Sequence, residues 1–195
     1  MLSNFYEKNH QQYFDSTVGI DPTAFLEPLA RLLEPQATML DIGCGSGRDL
    51  RWLAKRGFHP TGFEKAPNLA RLAREYSECP VIEGDFCRYD FLKLQFSALI
   101  FVGSLVHLPK KELPVILKST CRALVPNGLV LMTIKEGDGT SSTPDGRVFT
   151  LWSRADIEKI FNADNLHILD FSRQISKLRS DDTWLGYVLR LSSGT

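Results

Sequence analysis

Two hydrophobic rhythms run along this chain. The first is the continuous apolar run of residues 96–102, where Phe96, Ala98, Leu99, Ile100, Phe101 and Val102 leave one polar position. A strand covered on both faces of a parallel sheet reads this way. Residues 37–42, 59–63, 80–83, 129–135, 166–172 and 183–191 read as six further strands. The second rhythm is helical: Leu50, Leu53 and Ala54; Leu69, Leu72, Ala73 and Tyr76; Leu113, Ile116, Leu117, Cys121 and Leu124; Ile157, Ile160 and Phe161. Pro67 and Pro109 stand where two of these helices open, and Gly57 stands where one stops. Ser153 with Asp156 resembles a capping box ahead of the last helix. Near the start, residues 3–15 read as a partly helical arm. Asp21-Pro22 then opens a helix carrying Phe25, Leu26, Leu29, Leu32 and Leu33, which Pro35 ends. Pro126-Asn127-Gly128 predicts a turn, and the polar residues 137–146 predict a loop placed as a lid.

Strands alternating with helices predict an α/β fold, a doubly wound parallel sheet with helices on both faces. Only the last two strands follow one another without a helix, so one of them is expected to be antiparallel. The chain has no internal repeat or heptad run.

Composition narrows the function classes. With 195 residues and 43% hydrophobic content, one domain with a proper core is expected. Twenty-three basic residues balance 23 acidic ones, so no broad attraction to nucleic acid or anionic lipid is expected. A local basic patch from Arg71, Arg74, Lys110 and Lys111 competes with ordinary solvated helix faces. The four cysteines form no C-x-x-C pair and have no histidine cluster, so no metal site is expected. No signal-peptide pattern and no long apolar span is evident, which predicts a cytoplasmic protein with no membrane partner and free thiols.

The chemistry centres on Leu40-Asp41-Ile42-Gly43-Cys44-Gly45-Ser46-Gly47-Arg48-Asp49-Leu50, a strand running through alternating glycines into a helix. Glycine permits positive φ and lets backbone approach a ligand, and a helix N-terminus offers unpaired N–H groups. Arg48 stands where a dinucleotide fingerprint needs its third glycine, a departure from G-x-G-x-x-G. The run resembles the first motif of class I S-adenosylmethionine-dependent methyltransferases. The similarity continues in order through Gly62-Phe63-Glu64, Glu83-Gly84-Asp85-Phe86, the segment from Ala98 to Pro109, and Ala123-Leu124-Val125-Pro126-Asn127-Gly128.

This resemblance implies a seven-stranded sheet of order 3-2-1-4-5-7-6 with strand 7 antiparallel. It implies a single methyltransferase domain: an N-terminal helical arm over the active site (1–35), a cofactor-binding core (36–135), then the lid loop and C-terminal helix and strands (136–195). It implies S-adenosylmethionine as cofactor, held by Asp41, Gly43, Cys44, Gly45, Gly47, Glu64, Lys65, Asp85, Phe86, Val102 and Gly103. Glu64, 17 positions after Gly47, takes the place of the ribose-binding acid, whose two oxygens suit two hydroxyls. Asp85 takes the place of the acid at the adenine amino group. Asp41 either faces the cofactor ammonium or orders the glycine loop. Arg48 either reaches the cofactor carboxylate or is an ordinary first-turn side chain. Cys44 is either a thiolate at a helix N-terminus or simply a small residue.

His107 and Lys135 are the catalytic candidates. Imidazole exchanges protons near neutral pH, but a histidine in an "H-L-P" segment also serves packing. Tyr6, Tyr13, Phe14, Ser104 and Arg147 are placed around the acceptor. Residues 146–149 either roof the pocket or only exclude water. The segment after Val102 lacks the Asn/Asp-Pro-Pro-aromatic and Pro-Cys motifs of nucleobase methylation, so a small-molecule acceptor is expected, on a monomer or homodimer. Two rivals remain open: an NAD-dependent oxidoreductase, and a silent cofactor-binding or partner-binding module.

Overall fold

The structure is a computed structural model, and it describes residues 3–177 and 181–192. Helices α1 (Ser3–Lys8), α2 (His10–Thr17) and α3 (Thr23–Ala30) lead into strand β1 (Thr38–Ile42). Then follow α4 (Arg48–Ala54), β2 (His59–Glu64), α5 (Pro67–Ser77), β3 (Val81–Glu83), β4 (Phe96–Val102), α6 (Leu113–Thr120) and β5 (Leu124–Lys135). A short pair, β6 (Thr140–Ser142) and β7 (Val148–Thr150), precedes α7 (Arg154–Ala163), β8 (Leu166–Ile175) and β9 (Thr183–Leu191).

Seven strands form one sheet in the order β3-β2-β1-β4-β5-β9-β8. The pairs from β3 to β5 are parallel, and β9 runs antiparallel to both β5 and β8. With β8 and β9 counted as sixth and seventh, this is the expected order 3-2-1-4-5-7-6.

The strands sort their side chains by the period-two rule of a pleated sheet. Leu40, Ile42, Leu99, Phe101, Val130, Met132, Ile134, Leu185, Tyr187 and Leu189 belong to the core cluster that also takes Leu113 and Leu117 of α6 and Ile157 and Phe161 of α7. Met39, Ala98, Ile100, Leu129, Leu131 and Val188 belong to a second cluster with Leu26 and Leu29 of α3 and Trp52 and Leu53 of α4. The unbroken apolar run of β4 is thus two interleaved core faces. Each Leu, Ile or Phe buried this way contributes about 1.5–3 kcal/mol of transfer free energy.

On the second face the pattern changes at the carboxyl ends of the strands. Continuing by twos from Met39, Leu131 and Val188, the positions become Asp41, Thr133 with Lys135, and Trp184. Asp41, Thr133 and Lys135 are all buried. Buried polar side chains need partners, and this is where the site lies.

Three local features differ from expectation. Pro109 does not open α6; it closes a short 3-10 turn, its carbonyl accepts from Glu112 N–H, and the helix begins at Leu113 with Pro114 in its first turn. Asn127, at φ +60°, sits within the span of β5, whose pairing with β4 jumps from Phe96–Leu124 to Ala98–Leu129, so the expected turn is an irregularity inside a longer strand. Residues 140–150 are not an unstructured lid but the β6–β7 hairpin, with Thr140 opposite Thr150. Of the four residues weighed for a basic patch, Arg71 pairs with Glu75, Arg74 with Glu83 and Lys110 with Asp156.

Candidate active site

The glycine loop joins β1 to α4. Gly43, Gly45 and Gly47 have φ of +77°, +55° and +74°, a region that side-chain-bearing residues avoid. Space is a second constraint. A Cβ on Gly47 would lie 2.7 Å from the Ala73 carbonyl oxygen of α5, and one on Gly43 would lie 2.5 Å from Cβ of Ser104.

Glu64 closes β2 and is 8% exposed. Its Oε1 accepts from the N–H of Lys65 (2.8 Å) and Ala66 (2.9 Å), and Oε2 accepts from the N–H of Gly45 (3.1 Å). Burial raises its pKa, against the pull of these amides. Two bonds saturate Oε1, so Oε2 alone keeps an open acceptor position. Asp85 lies across from Lys65, whose ammonium donates to Oδ2 at 2.8 Å, and its Oδ1 accepts from Cys87 N–H at 3.0 Å. Burial works upward on this carboxyl, but these bonds outweigh it and hold the pKa below the usual value. Phe86 is half-buried against the first core cluster.

Asp41 is 2% exposed, and its Oδ2 is buried without a hydrogen-bond partner. Burial first, and the Asp49 carboxylate second, push its pKa well above the carboxylate range, with Arg48 pulling the other way. Arg48 is committed to Asp49: Nε donates to Oδ1 at 2.6 Å and a terminal nitrogen to Oδ2 at 3.1 Å. Asp49 drew no attention in the sequence, although its place in the first turn of α4 was visible. Cys44 is buried, and burial raises its pKa far above the ordinary thiol value. It is a thiol packed under the loop, and the small-residue alternative stands.

A cavity of about 200 Å³ opens beside the loop. Of the residues singled out from sequence, Tyr6, Tyr13, Gly43, Cys44, Gly45, Val102, Gly103, Lys135 and Arg147 line it, as do Arg48 and Asp49. Asp41, Gly47, Glu64, Lys65, Asp85, Phe86, Phe14, Ser104 and His107 do not. Phe14 packs edge-on against Tyr76 of α5, with ring centroids 5.8 Å apart. The Ser104 hydroxyl is buried under Gly43 without a hydrogen-bond partner. Phe25, Phe149, Asp182 and Trp184 complete the walls. Trp184 and Asp182 were not legible, because only the β5–β9 pairing, Lys135 opposite Trp184, brings them here.

Lys135 is 4% exposed. Its ammonium pairs with Asp182 Oδ2 at 2.5 Å and lies 3.9 Å from the Phe149 ring centroid and 5.7 Å from that of Trp184. Arg147 forks onto Asp145 and stacks over Phe5 of α1 at 4.8 Å.

The N-terminal arm supplies part of the wall. The Tyr13 ring lies 3.3 Å from where a Cβ on Gly45 would stand, and Glu7 accepts from the Asn68 N–H at the start of α5. The Tyr6 hydroxyl meets His107 Nε2 at 2.7 Å, while His107 Nδ1 meets the Val148 carbonyl at 2.7 Å. A carbonyl only accepts, so Nδ1 carries the proton, Nε2 is the acceptor and the phenol donates to it. Burial lowers the His107 pKa from 6.5, with Arg147 and Lys135 acting in the same direction and the Val148 bond opposing. Burial raises that of Tyr6, with Arg147 opposing. His107 therefore sits behind Tyr6 as a neutral ring.

Known proteins resemble this chain in sequence and in fold. Residues 39–128 match a family model described as a methyltransferase domain. The chain is 33% identical over 106 residues to 2-methyl-6-phytyl-1,4-hydroquinone methyltransferase of Synechocystis, covering 51% of this chain and 32% of that protein. It is 25% identical over 139 residues to Methyltransferase GfsG of Streptomyces halstedii, covering 64% and 49%. The chain thus spans about a third to a half of the curated relatives it matches. In fold it is similar to the Burkholderia thailandensis 1,6-didemethyltoxoflavin-N1-methyltransferase, crystallised with 1,6-didemethyltoxoflavin and S-adenosylhomocysteine. The TM-score is 0.78 at 19% identity, over 98% of this chain and 88% of that one. No helix among the described residues is long and apolar enough to cross a membrane.

Proposed function

We propose that this chain is a class I S-adenosylmethionine-dependent methyltransferase that transfers a methyl group to a small-molecule acceptor, a reading supported by the methyltransferase-domain match over residues 39–128 and by the fold. The observation that carries this reading is the unpartnered Asp41 Oδ2, a buried carboxylate oxygen at the end of β1 beside the glycine loop. A buried acceptor left open is costly, and a ligand ammonium satisfies it. The open Asp41 oxygen fits the cofactor's ammonium: Asp41 would hold that group beside the loop from Gly43 to Gly47, whose amides are mostly bonded to Phe63, Glu64 and Cys44. Glu64 Oε2 would take a ribose hydroxyl, Asp85 with Phe86 and Lys65 would hold the base, and Val102 and Gly103 would border the acceptor. The cofactor, when bound, supplies a methyl group on a sulfonium, a strong electrophile that needs no activation by the protein. The chain's own task is to hold the acceptor in attack geometry and exclude water. The aromatic walls and the arm serve this, and Lys135 sets one cation at the cavity edge. The small-molecule acceptor is supported by the compact cavity and by the likeness to the toxoflavin-type enzyme.

Calorimetric titration tests the reading. Micromolar binding of S-adenosylmethionine and S-adenosylhomocysteine is expected, with none of NADH. Absence of adenosyl binding, or binding of NADH instead, overturns it.

A further inference from the structure

Tyr6 and His107 come from segments 101 residues apart and meet through one hydrogen bond of 2.7 Å. Of the two, only Tyr6 lines the cavity. The phenol ring is fixed edge-on by Phe5 (5.3 Å, 87°) and Tyr13 (5.0 Å, 89°), and the imidazole lies against Phe149 at 4.8 Å. The tautomer is fixed too, since the Val148 carbonyl holds the Nδ1 proton. The phenol donates its only proton to Nε2, its oxygen accepts from the Arg147 guanidinium, and one lone pair remains to accept from whatever occupies the cavity.

We propose that Tyr6 takes a proton from the methyl acceptor and passes its own to His107, and that the acceptor is accordingly a phenolic or enolic hydroxyl compound. This rests on the methyltransferase reading above.

The proton path balances. The acceptor O–H bond breaks as Tyr6 Oη takes that proton, and the original Tyr6 O–H bond breaks as His107 Nε2 takes the other. The acceptor oxygen keeps its electron pair and becomes the nucleophile. His107 is left as an imidazolium whose Nδ1–H still donates to Val148. When the product leaves, Nε2 returns its proton to Tyr6, and Tyr6 releases the one it gained to water.

Three observations select the acceptor class. Phenolic and enolic hydroxyls are far stronger acids than alkyl hydroxyls, and the ordinary tyrosine value is near 10; the net transfer to His107, whose pKa burial lowers, runs uphill even from a phenol and is out of reach from an alkyl hydroxyl. Tyr13, Phe25, Phe149 and Trp184 present aromatic walls suited to a planar molecule. Arg147, which faces both rings, and Lys135, which faces the imidazole, favour a forming oxyanion while opposing the imidazolium, and the carboxylates that Tyr6 feels, Glu64 and Asp145, are held by backbone amides and by Arg147. Burial keeps Tyr6 from standing alone as a phenolate, so the two proton movements are coupled rather than successive.

The test uses the whole chain as wild type, Tyr6→Phe and His107→Gln. Long-range proton–nitrogen NMR of the free protein is expected to show His107 protonated on Nδ1; an Nε2–H tautomer overturns the relay. Calorimetry is expected to find S-adenosylmethionine binding of Tyr6→Phe within about threefold of wild type. Methyl transfer is then measured with catechol, 4-hydroxybenzoate and pentafluorophenol, the last already ionised at neutral pH. Tyr6→Phe is expected to lose ~100-fold or more in kcat on the protonated phenols, the scale of general base catalysis, and under fivefold on pentafluorophenol. Wild-type kcat is expected to fall at low pH with a midpoint below 6.5, and His107→Gln is expected to lack that limb. Equal losses on all phenols, or turnover by Tyr6→Phe within twofold of wild type, overturn the proposal. Cofactor binding with no phenol methylated overturns it too while leaving the methyltransferase reading intact; failure of cofactor binding removes that reading instead.

Discussion

Glu64 Oε2 accepts the Gly45 N–H at 3.1 Å, so the last residue of β2 and the middle of the glycine loop form one unit. The same carboxylate holds the Lys65 and Ala66 amides. Glu64→Ala therefore removes a loop fastener together with the proposed ribose contact. The expected outcome is cofactor affinity weakened at least tenfold by calorimetry, with folding stability reduced by about 1–2 kcal/mol as buried donors lose their acceptor. Unchanged stability in urea melts would show that those amides find other partners.

Asp41 carries the opposite sign. Its folded pKa is raised above the unfolded value by burial and by Asp49. Ionising it therefore favours the unfolded chain. The penalty is absent below the unfolded pKa, near 4, and grows as pH rises from there toward the folded value. Asp41→Asn is expected to raise the ligand-free Tm by about 2–4 °C at pH 7.5, the scale of 1 kcal/mol in a domain of this size. That gain should vanish near pH 4, and S-adenosylmethionine binding should weaken. A lower Tm at pH 7.5 would mean that Asp41 already has a satisfied charge.

Two glycines separate space from backbone conformation. Gly47 and Gly57 both have left-handed φ, +74° and +83°. A Cβ on Gly57 meets nothing within 4 Å, whereas one on Gly47 meets the Ala73 backbone at 2.7 Å. Gly57→Ala should cost only the conformational penalty of about 1–2 kcal/mol. Gly47→Ala should cost more in the same chemical melt, because a helix backbone has to move. Equal costs would mean that α5 gives way freely.

Lys135 and Asp182 are not interchangeable targets. The ammonium side is deeply buried, while the carboxylate side chain keeps 22% of its exposure. Asp182→Ala strands a cation and is expected to cost about 3 kcal/mol, the lower end of the range for broken buried pairs because solvent reaches one partner. Lys135→Met removes the cation itself and frees a carboxylate near water, so its stability cost should be smaller while methyl transfer falls sharply. Urea denaturation of both variants, with turnover, checks the order.

The fold was legible because its strands announce themselves. Residues 96–102 are β4 to the residue, since a strand buried on both faces leaves no room for polar positions, and 183–191 are β9 likewise. The β6–β7 hairpin escaped because Thr140, Ser141 and Ser142 bury little and pair only through backbone. At the site, motif order placed Asp41 and Glu64, but which oxygen of Glu64 stays open depends on three amides that no motif encodes. His107 was visible as a histidine after β4. Its orientation toward Tyr6 rather than the cavity depends on a contact between distant segments, as does the meeting of Lys135 with Asp182.

The reactive hydroxyl proposed for this chain sits at position 6, on α1, in a segment that reaches the core through α2 and the stretch before α3. Tyr13 of the same segment presses on the glycine loop, and Glu7 fastens it to α5. Under the proposed relay, a movement that lifts this segment would part Tyr6 from His107, so ligand entry and proton transfer would alternate in time.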